Sequence, residues 1–305
     1  MIQITEVGPR DGLQNEKVIL TTEEKLTFIH HLIDSGAKSI EVASFVNPKV
    51  VPQMADPEQL IAMLPQVEGV TYRALVLSKA GLERLLHTNI THVQLSFAVS
   101  DAFNQKNIRR STEESIMEML KIVEKAKAEN KYVNLILGTV YGCPFEGTID
   151  LQKVTTIAKQ FIQAGVDEIT YADTIGIAHP RAIEQSVQLF MEAASNFPLG
   201  LHLHNTRGRG LANAIAGINA GITRFDSSIG GIGGCPFAPK AVGNICTEDF
   251  VSMIHAMGYE TSINVEKYIE AAVRSVLDQP YKGIDIVLVD DGSPDNSPAI
   301  CDRLA

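Results

Sequence analysis

The sequence alternates between short β-branched runs and helical patterns along most of its length. The first strand patterns are IQITEV, SIEVASF and TYRALVL, and the helical patterns TEEKLTFIHHLIDSG and residues 57–63 separate them. Such alternation predicts parallel strands joined by crossover helices. The later patterns bring the count to eight strands and eight helices, which predicts a (β/α)8 TIM barrel. An open doubly wound sheet also alternates, but EVGPRDG after the first strand is not its G-x-G-x-x-G turn.

Composition limits the partners that such a chain can bind. A length of 305 residues, with 45% hydrophobic and 20% charged residues, suits one barrel with a large buried core and a short appendage. The net charge of -10 disfavours nucleic acid and anionic membrane surfaces, so we expect small-molecule partners. The apolar runs are too short to span a membrane, and the N terminus enters a strand directly without a signal-peptide pattern. We therefore predict a cytoplasmic protein.

The cysteine pattern does not indicate a disulfide framework. Cys143, Cys235, Cys246 and Cys301 form no C-x-x-C pair, and four cysteines are too few to stabilise a chain of this size through disulfides. We expect each to be a free thiol.

Ionisable residues cluster at the predicted carboxyl ends of the strands, the mouth where this fold places its chemistry. They are Arg10, Asp11, Glu41, Asp173, His202 and His204. His202 and His204 lie two residues apart on one strand and therefore point to the same side. Together with the carboxylates they favour a divalent cation such as Mg2+ or Mn2+ over a pair of core histidines. Zinc is less expected, because no thiolate is adjacent.

Arg10 and the glycine-rich loop suggest further roles at the mouth. An arginine there is suited to stabilising a carbonyl oxygen that becomes negative, with a structural ion pair to Glu41 as the alternative. The segment SSIGGIGGCPFAPKAVGN after strand eight suits a mobile lid that carries Cys235 to the mouth as a proton donor or acceptor. A phosphate cradle is the second interpretation of these glycines.

Motifs in chain order closely resemble the 3-hydroxy-3-methylglutaryl-CoA (HMG-CoA) lyases. They are EVGPRDGLQNE (6–16), IEVASFVNPKVVPQMAD (40–56), KNI (106–108), TVYGCPFEG (139–147), ADTIG (172–176), HLHNTRG (202–208) and GGIGGCPFAPKAVGNICTED (230–249). The resemblance covers about residues 1–260 and implies a TIM barrel, in agreement with the count of strands. It also implies a divalent-cation-dependent cleavage of HMG-CoA to acetoacetate and acetyl-CoA.

The resemblance implies roles for particular residues. The implied metal ligands are Asp11, His202, His204 and Asn244. Arg10 would stabilise the enolate of acetyl-CoA, and Cys235 would help to protonate the product carbanion. Glu41, Asp173 and His202 are the implied candidates for the base that removes the hydroxyl proton. The family also implies a homodimer.

Binding of the acyl-CoA substrate by an acidic protein needs local positive charge. Lys17, Lys106 and Arg109 lie in strand-end loops and are candidates for holding the CoA phosphates, with solvated surface as the alternative. Asn205 and Ala43 depart from residues common in the family. They leave open a lyase for a related 3-hydroxy-acyl-CoA. Disturbed closure caused by a foreign C-terminal tail leaves open a catalytically impaired barrel that binds CoA ligands. The shared H-x-H pair leaves open a condensing enzyme of the isopropylmalate or homocitrate synthase type.

The last forty residues have a different character. Residues 264–305 are similar to the opening of family-2 glycosyltransferases, including VDDGSPDNS with Asp290 and Asp291. The second acidic motif of that family does not follow, so we do not expect nucleotide-sugar chemistry. Val265, Tyr268, Ile269, Ala272 and Val276 form an apolar helical stripe that could pack on the barrel, whereas the strand pattern IDIVLV has no obvious sheet to join. We predict a lyase domain over 1–263 and a foreign-looking α/β segment over 264–305.

Overall fold

Eight parallel strands close into a barrel in a computed structural model, which describes residues 1–234 and 243–277 together with Ala299 and Asp302. The strands are β1 (Gln3–Glu6), β2 (Ser39–Ser44), β3 (Thr71–Val76), β4 (His92–Ala98), β5 (Tyr132–Gly138), β6 (Glu168–Asp173), β7 (Leu199–Leu203) and β8 (Arg224–Ser227). Each strand pairs with the next, and β8 pairs with β1 from Arg224 opposite Gln3 to Ser227 opposite Glu6. The prediction of a TIM barrel is confirmed.

Helices follow the strands and cover the outside of the barrel. They are α1 (Thr22–Asp34), α2 (Pro57–Met63), α3 (Lys79–Leu86), α4 (Asp101–Ile108), α5 (Thr112–Ala128), α6 (Leu151–Gln163), α7 (Pro180–Ala193), α8 (Gly210–Asn219), α9 (Thr247–Ala256) and α10 (Val265–Leu277). The sequence patterns did not predict α4, which begins where the Ser100 side chain accepts a hydrogen bond from the Phe103 amide. Within the described residues, no helix is long and apolar enough to cross a membrane.

Local sequence explains where α1 and α5 begin. Thr21 and Glu24 form a capping box at the start of α1, and Ser111 and Glu114 form another at the start of α5. In each box the hydroxyl accepts a backbone N–H of the first turn while the glutamate returns to the capping residue. These contacts fix where the two helices begin, and apolar side chains fill the layer between helices and strands.

The amino end of the barrel is closed by polar contacts. Glu168 accepts a hydrogen bond from the Tyr132 hydroxyl at 3.0 Å and pairs with the Arg73 guanidinium at 3.4 Å. Nearby, the Asn134 amide donates to the Thr170 hydroxyl at 3.0 Å. Because these side chains satisfy one another, this end is structural, and the carboxyl ends of the strands form the mouth that is left for chemistry.

Helix α10 packs on the barrel, as its apolar stripe predicted. Tyr268 is fully buried and Ala271 nearly so, and the helix contacts α1 and α9. The Asn264 amide donates to the Ser35 carbonyl at 2.9 Å, which fixes the start of α10 beside the end of α1. The strand pattern IDIVLV lies outside the described residues, and the division of the chain at residue 263 stays a prediction.

Gly36 allows the end of α1 to approach the segment before α10 closely. It has a φ of +96°, and a Cβ atom there would lie 2.2 Å from the Ser262 carbonyl oxygen. We predict that Gly36→Ala lowers the free energy of unfolding by about 3 kcal/mol, because backbone strain and a backbone clash add. Urea denaturation measures the loss.

Gly69 supplies the matched control. Its φ is +75°, but a Cβ atom there would meet nothing within 4 Å. Gly69→Ala should therefore cost only the conformational strain of about 1 kcal/mol. Equal losses for the two variants would contradict the close contact between the end of α1 and the start of α10.

Candidate active site

The turn after β1 carries Arg10 and Asp11 into the mouth. The backbone folds tightly on Val7, whose carbonyl accepts N–H groups from Arg10 at 3.1 Å, Asp11 at 2.7 Å and Gly12 at 3.3 Å. Both charged side chains are buried. A turn so densely hydrogen-bonded holds the two residues in fixed positions.

Arg10 lies between two carboxylates. Its Nη1 donates to Asp11 Oδ1 and its Nη2 to Glu41 Oε2, both at 2.6 Å. The ion pair with Glu41, which the sequence left as an alternative, is therefore present, and the same guanidinium also contacts Asp11. Although burial opposes it, the two carboxylates raise the pKa of Arg10 further, so the side chain keeps its charge. Burial raises the pKa of Glu41, whose Oε1 has no hydrogen-bond partner among the described residues.

His202 and His204 both face the interior of the mouth from β7. Their Nε2 atoms are 3.1 Å apart, and His202 Nδ1 lies 3.2 Å from Asp226 Oδ2 on β8. A carboxylate on the far ring nitrogen fixes the tautomer in which the near nitrogen is free to bind a metal. Sequence reasoning missed Asp226, although RFDSS at the end of strand eight carries it at a strand-end position.

These residues fit a divalent cation. Single ligand atoms of Asp11, His202 and His204 all lie within 4.8 Å of one another. Two ligands on adjacent vertices of an octahedron with bonds of about 2.1 Å are about 3.0 Å apart, which matches the separation of the two Nε2 atoms. Asn244 lies beside them, paired with His204 through a β-bridge. Its Nδ2 donates to Asp11 Oδ2 at 2.8 Å, and its buried Oδ1 has no partner among the described residues.

The electrostatics favour the metal-binding forms of Asp11 and His204, whereas Asp226 favours protonation of His202. Burial opposes ionisation of Asp11, but Arg10 and the two histidines outweigh it and lower the pKa of the carboxyl. Burial and then the neighbouring His202 lower the pKa of His204 to about 4. Although burial opposes it, Asp226 raises the pKa of His202. The site thus combines an ionised carboxylate with a neutral His204 at neutral pH.

A family model described as HMGL-like matches residues 1–274. The chain belongs to this family. The hydroxymethylglutaryl-CoA lyase of Bacillus subtilis is 39% identical over 271 residues, which cover 89% of this chain and 91% of that protein. The (R)-citramalyl-CoA lyase of Chloroflexus aurantiacus is 37% identical over 281 residues, 89% of each chain.

Solved structures agree with this membership. The HMG-CoA lyase of Bacillus subtilis superposes with a TM-score of 0.87 at 37% identity, covering 92% of this chain and 95% of that one. An HMG-CoA lyase of Acinetobacter baumannii, in complex with coenzyme A and 3-methylmalate, superposes with a TM-score of 0.86 at 36% identity over 90% of each chain. A second model, glycosyl transferase family 2, matches residues 261–305. Asp290 and Asp291 of that match lie outside the described residues.

Asp173 ends β6 and lies near enough to His202 for their charges to interact. Burial raises its pKa to about 6. Its Oδ1 accepts the Ile177 amide at 3.0 Å and its Oδ2 accepts the Ala178 amide at 2.9 Å. Both oxygens therefore shape the loop after β6, and a role as the base stays a prediction.

The two ends of the glycine-rich loop approach the candidate metal ligands Asn244 and Asp11 closely. A Cβ atom at Gly233, whose φ is +116°, would lie 2.6 Å from Asn244 Nδ2 and 3.1 Å from Asp11 Oδ2. Only glycine fits this approach. Cys235 lies outside the described residues, so its proton-transfer role and the lid stay predictions.

Gln14 and Asn15 form part of the site that sequence reasoning missed. Gln14 Nε2 donates to Asp11 Oδ1 at 3.1 Å, and Asn15 Nδ2 donates to the Asp11 carbonyl at 3.3 Å and to the Gly234 carbonyl at 2.5 Å. The side-chain amide of Asn15 thereby connects the turn that carries Asp11 to the start of the glycine-rich loop. The motif EVGPRDGLQNE contains Gln14 and Asn15, so the sequence carried a signal that could have identified them.

The residues proposed to hold CoA phosphates are exposed. Lys17 lies in the connection after β1, whereas Lys106 and Arg109 lie at the end of α4. The Lys106 ammonium lies 3.6 Å from the centroid of the Phe145 ring, so it links the loops after β4 and β5. Phosphate binding by these three side chains stays a prediction.

Asn205, a departure from the family pattern, has a role within the fold. Its Oδ1 accepts the Gly210 amide at 2.9 Å and caps the start of α8. Ala43, the other departure, is buried on β2. The Asn205 oxygen is therefore occupied in capping a helix.

We predict that Asp226→Asn weakens Mn2+ binding by about 10- to 100-fold, because the charge that orients His202 is lost. Titration of free Mn2+ by electron paramagnetic resonance measures the affinity. Asp167→Asn is the matched control, since this carboxylate binds Lys127 and the Val133 amide at the opposite end of the barrel. Identical Mn2+ affinities for the two variants would show that Asp226 does not support the metal site.

Proposed function

We propose that this protein catalyses the divalent-cation-dependent cleavage of HMG-CoA to acetoacetate and acetyl-CoA. The observation that carries the proposal is the Arg10 guanidinium held beside Asp11, with His202 and His204 completing a metal-binding cluster. The HMGL-like match over 1–274 and the relatives named as HMG-CoA lyases support the same reaction.

The reaction breaks a carbon–carbon bond next to a tertiary hydroxyl. The hydroxyl loses its proton to a base, its oxygen becomes the ketone of acetoacetate, and the electron pair of the broken bond passes into the enolate of acetyl-CoA. A divalent cation held by Asp11, His202, His204 and Asn244 would lower the pKa of that hydroxyl. Arg10 would meet the negative charge that develops on the thioester oxygen. The enolate carbon then takes a proton, for which Cys235 is the proposed donor.

The three candidates for the base differ in the contacts that they already make. His202 is held by Asp226 on one ring nitrogen and faces His204 with the other. Asp173 accepts backbone amides with both oxygens. Glu41 keeps one buried oxygen without a partner among the described residues, and burial raises its pKa toward the range of a general base. These contacts favour Glu41.

A related substrate is the second candidate. The (R)-citramalyl-CoA lyase of Chloroflexus aurantiacus is nearly as similar in sequence as the HMG-CoA lyases. Citramalyl-CoA has the same 3-hydroxy-3-methyl carbon and differs in the length of its acid arm. The same metal cluster and Arg10 would serve both cleavages, so the residues facing the acid arm decide between them.

We also propose the CoA contacts, the partners, the oligomeric state and the cellular location. Lys17, Lys106 and Arg109 are proposed to hold the CoA phosphates. The net charge of -10 favours small-molecule partners over nucleic acid or membranes. A homodimer is proposed from the family resemblance. A cytoplasmic location is also proposed; among the relatives, the rat protein is named cytoplasmic and the macaque protein mitochondrial.

We predict that the full chain releases acetyl-CoA from HMG-CoA when Mg2+ or Mn2+ is present and that Arg10→Lys lowers kcat by about 100-fold or more. Lysine cannot contact Asp11 and Glu41 simultaneously as a planar guanidinium does. A coupled assay for acetyl-CoA measures the rates, with citramalyl-CoA tested in parallel. Arg181→Lys, an exposed position on α7, is the control.

Two outcomes would contradict the proposal. Cleavage that persists after complete removal of metal would exclude the cation-dependent reaction. Tight binding of coenzyme A without turnover of either substrate would indicate a barrel that binds CoA ligands. Turnover of citramalyl-CoA alone would favour the second candidate.

A further inference from the structure

Glu6, at the end of β1, is a fully buried carboxylate that has no assigned role. It accepts four hydrogen bonds. Its Oε1 accepts the Gly8 amide at 2.7 Å and the Ile229 amide at 3.1 Å. Its Oε2 accepts the Thr247 hydroxyl at 2.9 Å and the Tyr268 hydroxyl.

Two of these donors belong to the loops that build the active site. Gly8 opens the turn that carries Arg10 and Asp11, and a Cβ atom at Gly8 would lie 2.5 Å from Glu6 Oε1. Ile229 opens the segment that leads to Gly233 against Asn244. The carboxylate thus joins the two backbone segments that position the metal ligands outside β7.

The other two donors come from the outer helices. Thr247 begins α9, and Tyr268 lies one turn into α10, with its ring fully buried. Tyr268 belongs to the stretch 261–274 that both family models match. A side chain of the C-terminal segment therefore reaches the carboxylate that holds the two active-site loops.

The hydroxyl of Tyr268 is important because a buried carboxylate needs its donors. Burial raises the pKa of Glu6 to about 7, and the hydrogen bond from Tyr268 is the largest influence that opposes this rise. Without that hydroxyl, Glu6 Oε2 would keep only Thr247 as a donor. A less well satisfied carboxylate would hold the Gly8 and Ile229 amides less firmly.

We infer that Tyr268 is a positioning residue for the metal site, acting through Glu6 on the loops that begin at Gly8 and Ile229. Its effect on turnover rests on the proposed function, whereas its effects on metal affinity and on loop protection do not. The C-terminal helix is then part of the active-site framework rather than a cover for apolar surface.

The test compares Tyr268→Phe with the wild-type full chain. The substitution keeps the buried ring and removes only the hydroxyl. We expect Mn2+ affinity to fall by about tenfold, the low end of the range for residues that support metal ligands, and hydrogen exchange of the Gly8 and Ile229 amides to accelerate. Electron paramagnetic resonance and exchange mass spectrometry of the peptides carrying these amides are the measurements.

Tyr72→Phe is the matched control. The Tyr72 hydroxyl donates to the Pro65 carbonyl at 2.7 Å near the start of β3, far along the chain from either loop. This variant should lose a tyrosine hydrogen bond to a neutral, half-buried acceptor while Mn2+ affinity and exchange at Gly8 and Ile229 stay at wild-type values. Equal changes in both variants would mean that general destabilisation explains the result and would overturn the inference.

Thr247→Val keeps the test decisive if Tyr268→Phe folds poorly. It removes the second hydroxyl on Glu6 Oε2 with little change of shape, so it should weaken Mn2+ binding and speed the same exchange. Thr247→Ser, which retains the hydroxyl, should restore both. Wild-type Mn2+ affinity and wild-type exchange in Tyr268→Phe, or in Thr247→Val where the first variant does not fold, would overturn the inference. A chain without lyase activity but with these changes would refute the proposed function alone.

Discussion

The buried contacts of Arg10 with Asp11 and Glu41 are the interaction on which the site depends. A buried guanidinium is costly unless its charge is compensated, and removing one partner of such a group typically costs about 3–5 kcal/mol. Here the compensation comes from the turn after β1 and from β2, so the charge cluster forms where these two neighbouring strands pair. The same contacts aim Asp11 at the histidines of β7.

Carboxylates outnumber the guanidinium at this interaction. Asp11 and Glu41 both pair with the single guanidinium of Arg10, and a third carboxylate, Asp226, lies against His202. The Nε2 atoms of His202 and His204 face each other in the same cluster. A dication among these groups would relieve the contact between the two ring nitrogens. The chemistry proposed for the site and the stability of its folded form thus depend on the same few residues.

The sequence predicted the features that follow from local periodicity and from the topology of the barrel. Strand alternation indicated the fold, and the strand-end rule indicated Arg10, Asp11 and the H-x-H pair. Helix α4 was missed because DAFNQKNI has no apolar stripe. Asp226 was missed because its role depends on the register between β7 and β8, which pairs His202 with it.

Sequence patterns could not predict which residues from distant parts of the chain would contact each other. Glu6 and Tyr268 are 262 residues apart, and only the packed helix brings them together. The apolar stripe of α10 predicted that the helix would pack on a surface, but a buried tyrosine in such a stripe does not disclose which acceptor its hydroxyl will meet. Resemblance of the last residues to a glycosyltransferase therefore says little about the role of this helix in the barrel.

The most direct test of the central claim is anomalous diffraction from crystals of the full chain grown with Mn2+. The account predicts one manganese peak at the mouth of the barrel, at about 2.0–2.3 Å from oxygens of Asp11 and Asn244 and from a ring nitrogen of each of His202 and His204. A peak that avoids both histidines, or an empty cluster in crystals that bind Mn2+ elsewhere, would contradict it.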